Sequence, residues 1–347
     1  MVVDGCPAGI PLSEEDIQLK LNKRKPGQSK YTTPRVEGDK AHILSGVFEG
    51  KTTGTPISVV VFNEQQRSSD YSAIKDTYRP GHADFTFDAK YGFRDYRGGG
   101  RSSGRETVGR VAAGAIADKL LAGLGIKVIA YTKSISGIEM ENFDEAEIEK
   151  NPFRIPDAKA AAKISELVET AMEEHDSCGG IVECRISGVP AGLGDPVFDK
   201  LDADLAKAIM SIGAVKGVEI GDGFAVANAR GSSNNDAFVI KDGKPVKRTN
   251  HAGGILGGIS DGDTIICRAA FKPTPSIFRP QQTINTDGEE TEINIKGRHD
   301  PLVVPRAVPV VEAMASIVIA DALLSNMASR YDNVIRFYSE NQQNSIK

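Results

Sequence analysis

The sequence predicts an α+β fold in which helices and strands form a single domain over residues 1–347. Three observations lead to this prediction. Apolar residues recur with a helical period in some segments and alternate with polar residues in others. No repeat of fixed period occurs, and no linker rich in proline, glycine or serine divides the chain. With 347 residues, of which 40% are hydrophobic, the chain can bury a large core.

Local signals justify the elements in chain order. The first helix has Ser13 as its N-cap and acidic residues in its first turn. In the second helix, Gly109 and Gly114 indicate close packing on a neighbour. Further along the chain, Asp242 with Gly243 predicts a turn. The last helix is apolar on most faces and should be buried. The predicted helices are residues 13–24, 105–121, 158–174, 199–212 and 308–324, and the predicted strands are 43–47, 56–62, 127–132, 179–188, 237–240 and 264–271.

Composition and charge argue against several classes of function. A formal net charge of −5 is unfavourable for binding nucleic acid, because such proteins need a basic domain or face. The four cysteines lack C-x-x-C spacing, which in a chain of this length predicts reduced thiols and a cytoplasmic protein. The longest apolar stretch, residues 313–324, is too short to span a bilayer, and no signal segment opens the chain, so no membrane contact is expected.

The most informative stretch is RDYRGGGRSSGRET at residues 94–107. Glycines 98–100 let the backbone approach a ligand, and Ser103 followed by Glu106 predicts a capping box that opens a helix. The free N–H groups of a helix N-terminus bind phosphate well. Residues 79–110 contain seven basic and four acidic side chains, although the chain is acidic overall. This local positive charge predicts a small anionic ligand.

Further motifs contain similar residue types. His82 lies between arginine and aspartate in RPGHAD, where it could act as a general acid or base, although a lone histidine is more often structural. A second basic loop occupies residues 20–35, and glycines cluster at 250–258. KPTPS at 272–276 combines a cation with hydroxyls, and KGRHDP at 296–301 combines cations with a carboxylate. Neither a P-loop motif nor a Rossmann fingerprint occurs, which argues against both nucleotide-binding folds.

In this order, the motifs resemble the chorismate synthase family over essentially the whole chain. The resemblance implies a lyase that converts 5-enolpyruvylshikimate 3-phosphate into chorismate and phosphate by a 1,4-anti elimination in the shikimate pathway. It also implies reduced FMN as cofactor, NADPH as an indirect reductant, helices between two antiparallel sheets, and a homotetramer. The pieces that carry it are RPGHAD (79–84), YRGGGRSS (96–103) with RET (105–107), GVPAGLGDPVFDKLDADLA (188–206), VKGVEIGDGF (215–224), NHAGGILGGIS (250–260) and KGRHDP (296–301).

The resemblance also implies roles for individual residues. His82 matches a histidine proposed to protonate or stabilise the reduced flavin, and Asp300 matches a carboxylate that relays a proton near flavin N5. Arg24 and Arg79 match positions that bind the substrate. A substrate with one phosphate and two carboxylates needs several fixed cations, and Lys30 and Arg101 could add to these two. No metal ligand is implied. The positions that match FMN contacts are Arg101, Ser102, Ser103, Ala214, Gly257, Lys272, Pro273, Thr274, Pro275, Ser276 and Arg298.

One departure from the family pattern leaves alternatives open. The family normally begins further upstream, with a strand and a G-E-S-H-G motif whose histidine is thought to assist phosphate loss, and this sequence contains no such motif. Either the start codon is misplaced or the sequence is truncated, so that the motif is missing only from the given sequence, or the shorter polypeptide is real and lacks the motif. The second predicts a different function, a catalytically impaired protein that still binds FMN and anions. Intrinsic NADPH:FMN reductase activity, found in some family members, is a third function that the sequence leaves open.

Overall fold

A computed structural model describes residues 1–33, 37–63, 75–97, 100–295 and 300–344. The α-helices in these residues are α1 Glu14–Arg24, α2 Asp84–Tyr91, α3 Thr107–Ala122, α4 Ala158–Glu173, α5 Leu201–Met210, α6 Gly231–Asn234, α7 Val304–Asn326 and α8 Tyr331–Asn344. The β-strands are β1 Val2–Val3, β2 Ala41–Ile43, β3 Val47–Phe48, β4 Lys51–Thr52, β5 Ile57–Val61, β6 Lys127–Ile135, β7 Ile138–Glu139, β8 Gly180–Ser187, β9 Val215–Ile220, β10 Phe238–Lys241, β11 Lys244–Lys247, β12 Ile255–Leu256, β13 Ile259–Ser260, β14 Ile265–Phe271, β15 Gln281–Ile284 and β16 Glu290–Ile293.

The largest sheet is antiparallel, with the strand order β7-β6-β8-β14-β9. Val182, Cys184 and Ile186 alternate along β8 and are fully buried, so this face of the sheet meets the core. Cys184 lies opposite Cys267 of β14, and both are free thiols. A second antiparallel sheet, in the order β1-β5-β2, contributes the buried side chain of Ile57 to the same core.

Helices fill the space between these two sheets. α7 packs against β6, β8 and α3, whereas α1 packs against α3, α7 and the second sheet at β2. The approach of α3 to α7 requires Gly114, because a Cβ there would lie 2.3 Å from the Cβ of Ala313. A Cβ at Gly109 would make only ordinary contact, 3.6 Å from the Cβ of Met1. The predicted close packing is therefore confirmed at Gly114, and the helical layer between antiparallel sheets agrees with the predicted fold class.

Most predicted elements are present, with boundaries shifted by a few residues. The strand predicted over residues 43–47 is wrong, because β2 ends at Ile43 and the chain then turns through Gly46. Gly46 has a φ of 80°, and a Cβ there would lie 2.7 Å from Ile57, so only glycine fits this turn. The sequence analysis missed α2, which begins directly after the RPGHAD loop, and the hairpin of β15 and β16.

The capping box predicted at Ser103 and Glu106 is wrong, although Ser103 is still an N-cap. Ser103 caps a 3₁₀ turn, Gly104–Glu106, by accepting the N–H of Arg105. Glu106 does not complete the box, because its carboxylate accepts from Nε of Arg110 at 3.0 and 3.1 Å. The helix itself begins one residue later, at Thr107.

α7 is longer than predicted, because it begins at Val304 with Pro305 in its first turn. Among the described residues it is the one helix whose length and composition would allow it to cross a membrane. More than half of its most apolar window is buried inside the fold, however, as expected of a core helix. The burial predicted for this segment is confirmed.

Candidate active site

His82 is held by two residues of its own loop. Its Nδ1 lies 2.9 Å from Oδ1 of Asp84 and 2.9 Å from Nη2 of Arg79. Arg79 also donates from Nε and Nη2 to the two carboxylate oxygens of Asp84, at 2.7 and 2.8 Å, in a bidentate pair. Gly81, with a φ of 68°, allows the tight turn between them. These contacts fix the imidazole ring through Nδ1, so the Nε2 edge is the one that can meet a ligand.

The electrostatics of this loop keep Asp84 ionised. Burial alone would raise the pKa of its carboxyl, but hydrogen bonds and charge from Arg79 and His82 outweigh burial and hold that pKa well below its ordinary value. Asp84 is also the first residue of α2, where a negative charge is favourable. Nδ1 of His82 can donate to the carboxylate of Asp84 when it is protonated and can accept from Nη2 of Arg79 when it is not, so the two neighbours hold the ring in either tautomer.

The KPTPS run, residues 272–276, follows β14 and lies against the same loop. The ammonium of Lys272 donates to the carbonyl of Gly81, and a Cβ at Gly81 would lie 3.2 Å from the Cβ of Pro275. The backbone N–H of Lys272 donates to the carbonyl of Ala214 at 3.0 Å. The structure thus brings together the loop of the predicted catalytic histidine and two predicted groups of cofactor contacts.

A short segment connects the KPTPS run to Asp300. Ser177 donates its hydroxyl to the carbonyl of Thr274 at 2.8 Å. The next residue, Cys178, donates its N–H to the carbonyl of Pro301 at 3.0 Å. The two predicted catalytic residues are therefore linked through a chain of direct contacts, although Asp300 and His82 lie far apart in the sequence.

Asp300 belongs to a buried charge network that includes Arg24. Arg306 contacts both residues. Its Nη1 lies 2.5 Å from Oδ2 of Asp300, and its Nε donates to the backbone carbonyl of Arg24 at 3.1 Å. Arg24 is 1% exposed, and its guanidinium lies 3.3 Å from the carboxylate of Asp39 and 3.4 Å from the hydroxyl of Thr107. Burial, only partly offset by Asp39, lowers the pKa of Arg24 to about 10, and burial also raises the pKa of Asp39.

A cavity of about 300 Å³ opens beside the His82 loop. Arg94, on one wall of the cavity, already has partners within the protein. It forms an ion pair with Asp88, and its guanidinium lies 5.0 Å from the ring centre of Tyr78. Arg101, in contrast, is exposed at the cavity. Aromatic walls beside a cation suit a flat anionic ligand. The lining residues are Ala83, Asp84, Phe87, Tyr91, Phe93, Arg94, Asp95, Gly100, Arg101 and Ser102.

Some predicted site residues are not joined to these contacts in the described part of the chain. The side chain of Lys30 is 66% exposed, and its ammonium lies 2.7 Å from the carboxylate of Glu169 at the surface. Gly257 forms the turn between β12 and β13 with a φ of 63°, and a Cβ there would meet open space. Arg298, like His299, lies outside the described residues.

Sequence reasoning missed the residues that hold the predicted ones in place. Asp84 orients both Arg79 and His82, and its position inside RPGHAD was a usable signal. Arg306 joins Asp300, six residues before it, to Arg24, and no local pattern indicates the second contact because Arg24 lies 282 residues away in sequence.

The fold is that of an α+β protein, and loops rich in basic side chains form its candidate site. The sequence profile of the chorismate synthase family matches residues 1–324. The chain is 63% identical to chorismate synthase of Lachnospira eligens over 340 residues, which cover 97% of this chain and 93% of that protein. It is 58% identical to chorismate synthase of Methanosarcina mazei over 329 residues, which cover 93% of this chain and 90% of that protein.

A solved structure agrees with the sequence comparisons. It is described as the crystal structure of chorismate synthase, has a TM-score of 0.74 and 31% identity, and the match covers 98% of this chain and 92% of that one. This similarity confirms the predicted fold class. The chain belongs to the chorismate synthase family, a family of lyases in aromatic amino acid biosynthesis.

Proposed function

We propose that this protein converts 5-enolpyruvylshikimate 3-phosphate into chorismate and phosphate by a 1,4-anti elimination in the shikimate pathway, with reduced FMN as cofactor. Family membership supports the reaction. The observation that carries the proposal to this chain is the contact between the His82 loop and the KPTPS run. It brings a histidine of fixed ring orientation next to the residues expected to bind the cofactor.

Charge balance indicates how the substrate is bound. Arg79 with Asp84 and Arg24 with Asp39 are pairs without net charge, so these arginines supply directed N–H donors rather than excess positive charge. The net positive charge that attracts an anion comes from Arg101 and from other cations near the site. Lys30 joins them once its exposed ion pair with Glu169 opens, because water screens such a surface pair.

Two residues handle protons in this proposal. His82 donates a proton from Nε2 or takes one up there, while Asp84 holds the opposite ring nitrogen and stabilises the charged form. Asp300 is oriented by Arg306 and by the N–H of Thr33, 2.8 Å from Oδ1, so its carboxylate has a fixed direction for relaying a proton. Both groups are positioned before any ligand binds, which lowers the cost of reaching the reactive geometry.

The residues present suit reduced FMN. Lys272 and the hydroxyls of Thr274 and Ser276 provide a cation and donors for a phosphate, and Arg101 and Ser102 line the aromatic cavity. Among the described residues, the hydroxyls of Thr274 and Ser276 make no hydrogen bond with the protein, so they can bind a ligand without breaking one. When bound, reduced flavin supplies electron density to the reacting substrate, although the elimination has no net redox change.

The protein's assembly and location form part of the same proposal. Large apolar side chains are exposed on its surface, including Phe198 at 91% and Phe224 at 78%, and burying them against further copies supports a homotetramer. The four cysteines are free thiols, which suits the reducing cytoplasm. NADPH would act there as an indirect reductant of the flavin.

The test is anaerobic release of phosphate and chorismate from 5-enolpyruvylshikimate 3-phosphate with photoreduced FMN. We expect both products in equal amounts, and none with oxidised FMN or without flavin. A chain extended upstream by a G-E-S-H-G segment serves as a comparison. Flavin binding without product release would contradict the proposed activity and favour the impaired FMN- and anion-binding protein.

A further inference from the structure

Ala214, one of the predicted FMN contacts, has a strained backbone. Its φ is 74°, in the left-handed region that favours glycine. Glycines aside, it is the only apolar residue with a positive φ in the described part of the chain. Asp and Asn side chains can stabilise such a conformation by local hydrogen bonds, but an alanine side chain cannot. The conformation therefore depends on contacts that the rest of the fold makes with this loop.

Arg110 of α3 makes such contacts at Ser211, three residues before Ala214. Its Nη1 lies 2.5 Å from the hydroxyl oxygen of Ser211, and its Nη2 donates to the backbone carbonyl of the same residue at 3.2 Å. Ser211 is the C-cap of α5, where carbonyls lack partners within the helix and a cation is favourable. The forked guanidinium thus fixes both the side chain and the backbone at the point where the loop begins.

The Arg110 guanidinium is itself held by Glu106, whose two carboxylate oxygens lie 3.0 and 3.1 Å from Nε. Glu106 is the last residue of the 3₁₀ turn that Ser103 caps, and Ser103 is another predicted FMN contact. At the end of the loop, the carbonyl of Ala214 accepts the N–H of Lys272 at 3.0 Å. Arg110 therefore lies within a chain of contacts that joins three groups of predicted FMN contacts.

Resting on the proposed function, we propose that Arg110 is a positioning residue of the cofactor site that acts through Ala214. By fixing Ser211, it keeps the loop of residues 211–214 in its left-handed conformation before FMN binds, which lowers the cost of ordering the site. Its positive charge is balanced by Glu106, so its role is to hold the loop rather than to attract an anion.

The first test is a titration of FMN into the full chain and into Arg110→Met, Arg110→Lys and Lys119→Met. Methionine keeps most of the side-chain length without any donor, and lysine keeps the charge without the fork. Lys119→Met is the matched control, because it removes one cation from the same helix but breaks a contact with Asp16 of α1 instead of one with the loop. We expect FMN binding to weaken roughly tenfold in Arg110→Met and at least about threefold in Arg110→Lys, and to stay unchanged in Lys119→Met.

Ala214→Gly separates the proposed route from a general role of Arg110 in helix packing. Glycine adopts a positive φ without strain, so the loop should keep its conformation without the arginine. Added to Ala214→Gly, Arg110→Met should therefore weaken FMN binding less than about twofold relative to Ala214→Gly alone. A tenfold loss in that background would overturn the inference. Unchanged FMN binding by Arg110→Met, or full affinity in Arg110→Lys, would overturn it as well.

Hydrogen exchange of the ligand-free protein tests the same inference without FMN. The N–H of Lys272 is bonded to the carbonyl of Ala214, and it should exchange roughly tenfold faster in Arg110→Met than in the original chain or in Lys119→Met. Equal exchange rates would contradict the inference. If the exchange rates differed as expected but the original chain failed to bind FMN, the proposed function would be contradicted instead.

Discussion

The helical layer and the candidate site both contain a charge cluster, but the clusters differ in how their members are distributed along the chain. In the helical layer, Lys20 of α1 pairs with Asp118 of α3 and with Glu312 of α7, the latter at 2.6 Å. Asp118 and Glu312 outweigh burial and raise the pKa of Lys20 above its ordinary value. Each charge comes from a different helix, so the cluster ties three helices together.

At the candidate site, Arg79, His82 and Asp84 form a cluster within a single turn of the chain. Such a cluster shapes its own loop but joins no distant elements by itself. The helical cluster therefore contributes to how α1, α3 and α7 are held together, whereas the loop cluster fixes the orientation of His82. We expect substitutions at the contacts between helices to reduce stability, and substitution of His82 to reduce activity.

The largest effect is expected from Gly114→Ala in the helical layer. Its new Cβ would overlap Ala313, so α3 and α7 must separate, and the free energy of unfolding should fall by about 3 kcal/mol. Urea unfolding measures this change. Gly109→Ala is the matched control on the same helix, and it should be neutral or stabilising by up to about 1 kcal/mol. Equal losses for both variants would show that helix separation is not the cause.

In the loop, His82→Ala should lower turnover at least roughly 100-fold, or about 2.7 kcal/mol in activation free energy, because a general acid or base is lost. The free energy of unfolding should change by less than about 0.5 kcal/mol, since Arg79 and Asp84 remain paired. His42→Ala, at a partly exposed histidine of β2, should leave both quantities unchanged. Normal turnover in His82→Ala would remove His82 from the mechanism.

Glu312→Gln tests the helical charge cluster. The substitution leaves Lys20 with Asp118 alone and weakens the contact with the N–H of Ala130, 3.2 Å away, so we expect a loss of about 2 kcal/mol in unfolding free energy. Glu145→Gln, in an exposed pair with Lys127, should cost about 0.5 kcal/mol or less. If the two variants were equally stable, the cluster would not tie the helices together.

Asp84→Asn tests the loop cluster, because it leaves the guanidinium of Arg79 buried without its carboxylate partner, and it should lower the free energy of unfolding by about 3 kcal/mol at pH 7. The folded-state pKa of Asp84 is lowered, so its contribution is fully present above the ordinary aspartate pKa and is lost as pH falls toward the folded-state pKa. The difference between the original chain and Asp84→Asn should therefore shrink between pH 5 and pH 3. A difference that stayed constant or grew in acid would contradict this assignment.

Sequence reasoning predicted elements whose signals are local. The capping residue Ser13, the period of α3 and the alternation in β8 lie within a few residues of the structures they specify. It failed at residues 43–47, because β-branched and apolar residues favour a strand there while the tight approach of Gly46 to Ile57 requires a turn. It also missed α2, because the helix has only eight residues and Ala83 at its N-cap offers no capping side chain.

For the candidate site, the sequence indicated which residues to examine but not how they pair. The motif residues His82, Lys272 and Asp300 were identified from resemblance, and their roles stay predictions. The structure adds the contact of Lys272 with Gly81 and that of Arg110 with Ser211. The partners lie 191 and 101 residues apart in sequence, and hydrophobic periodicity alone does not specify such contacts.

The fold class, most of the elements and, through the motifs, the family could be predicted from the sequence. These properties depend on periodicity, capping and residue order, all of which are local. The tertiary structure was needed to show that Arg24 is buried against Asp39, that Lys20 pairs with Asp118 and Glu312, and that Lys272 contacts the His82 loop. The physical reason is that pairing between charges distant in sequence depends on how helices and strands pack, since packing fixes which side chains are desolvated together.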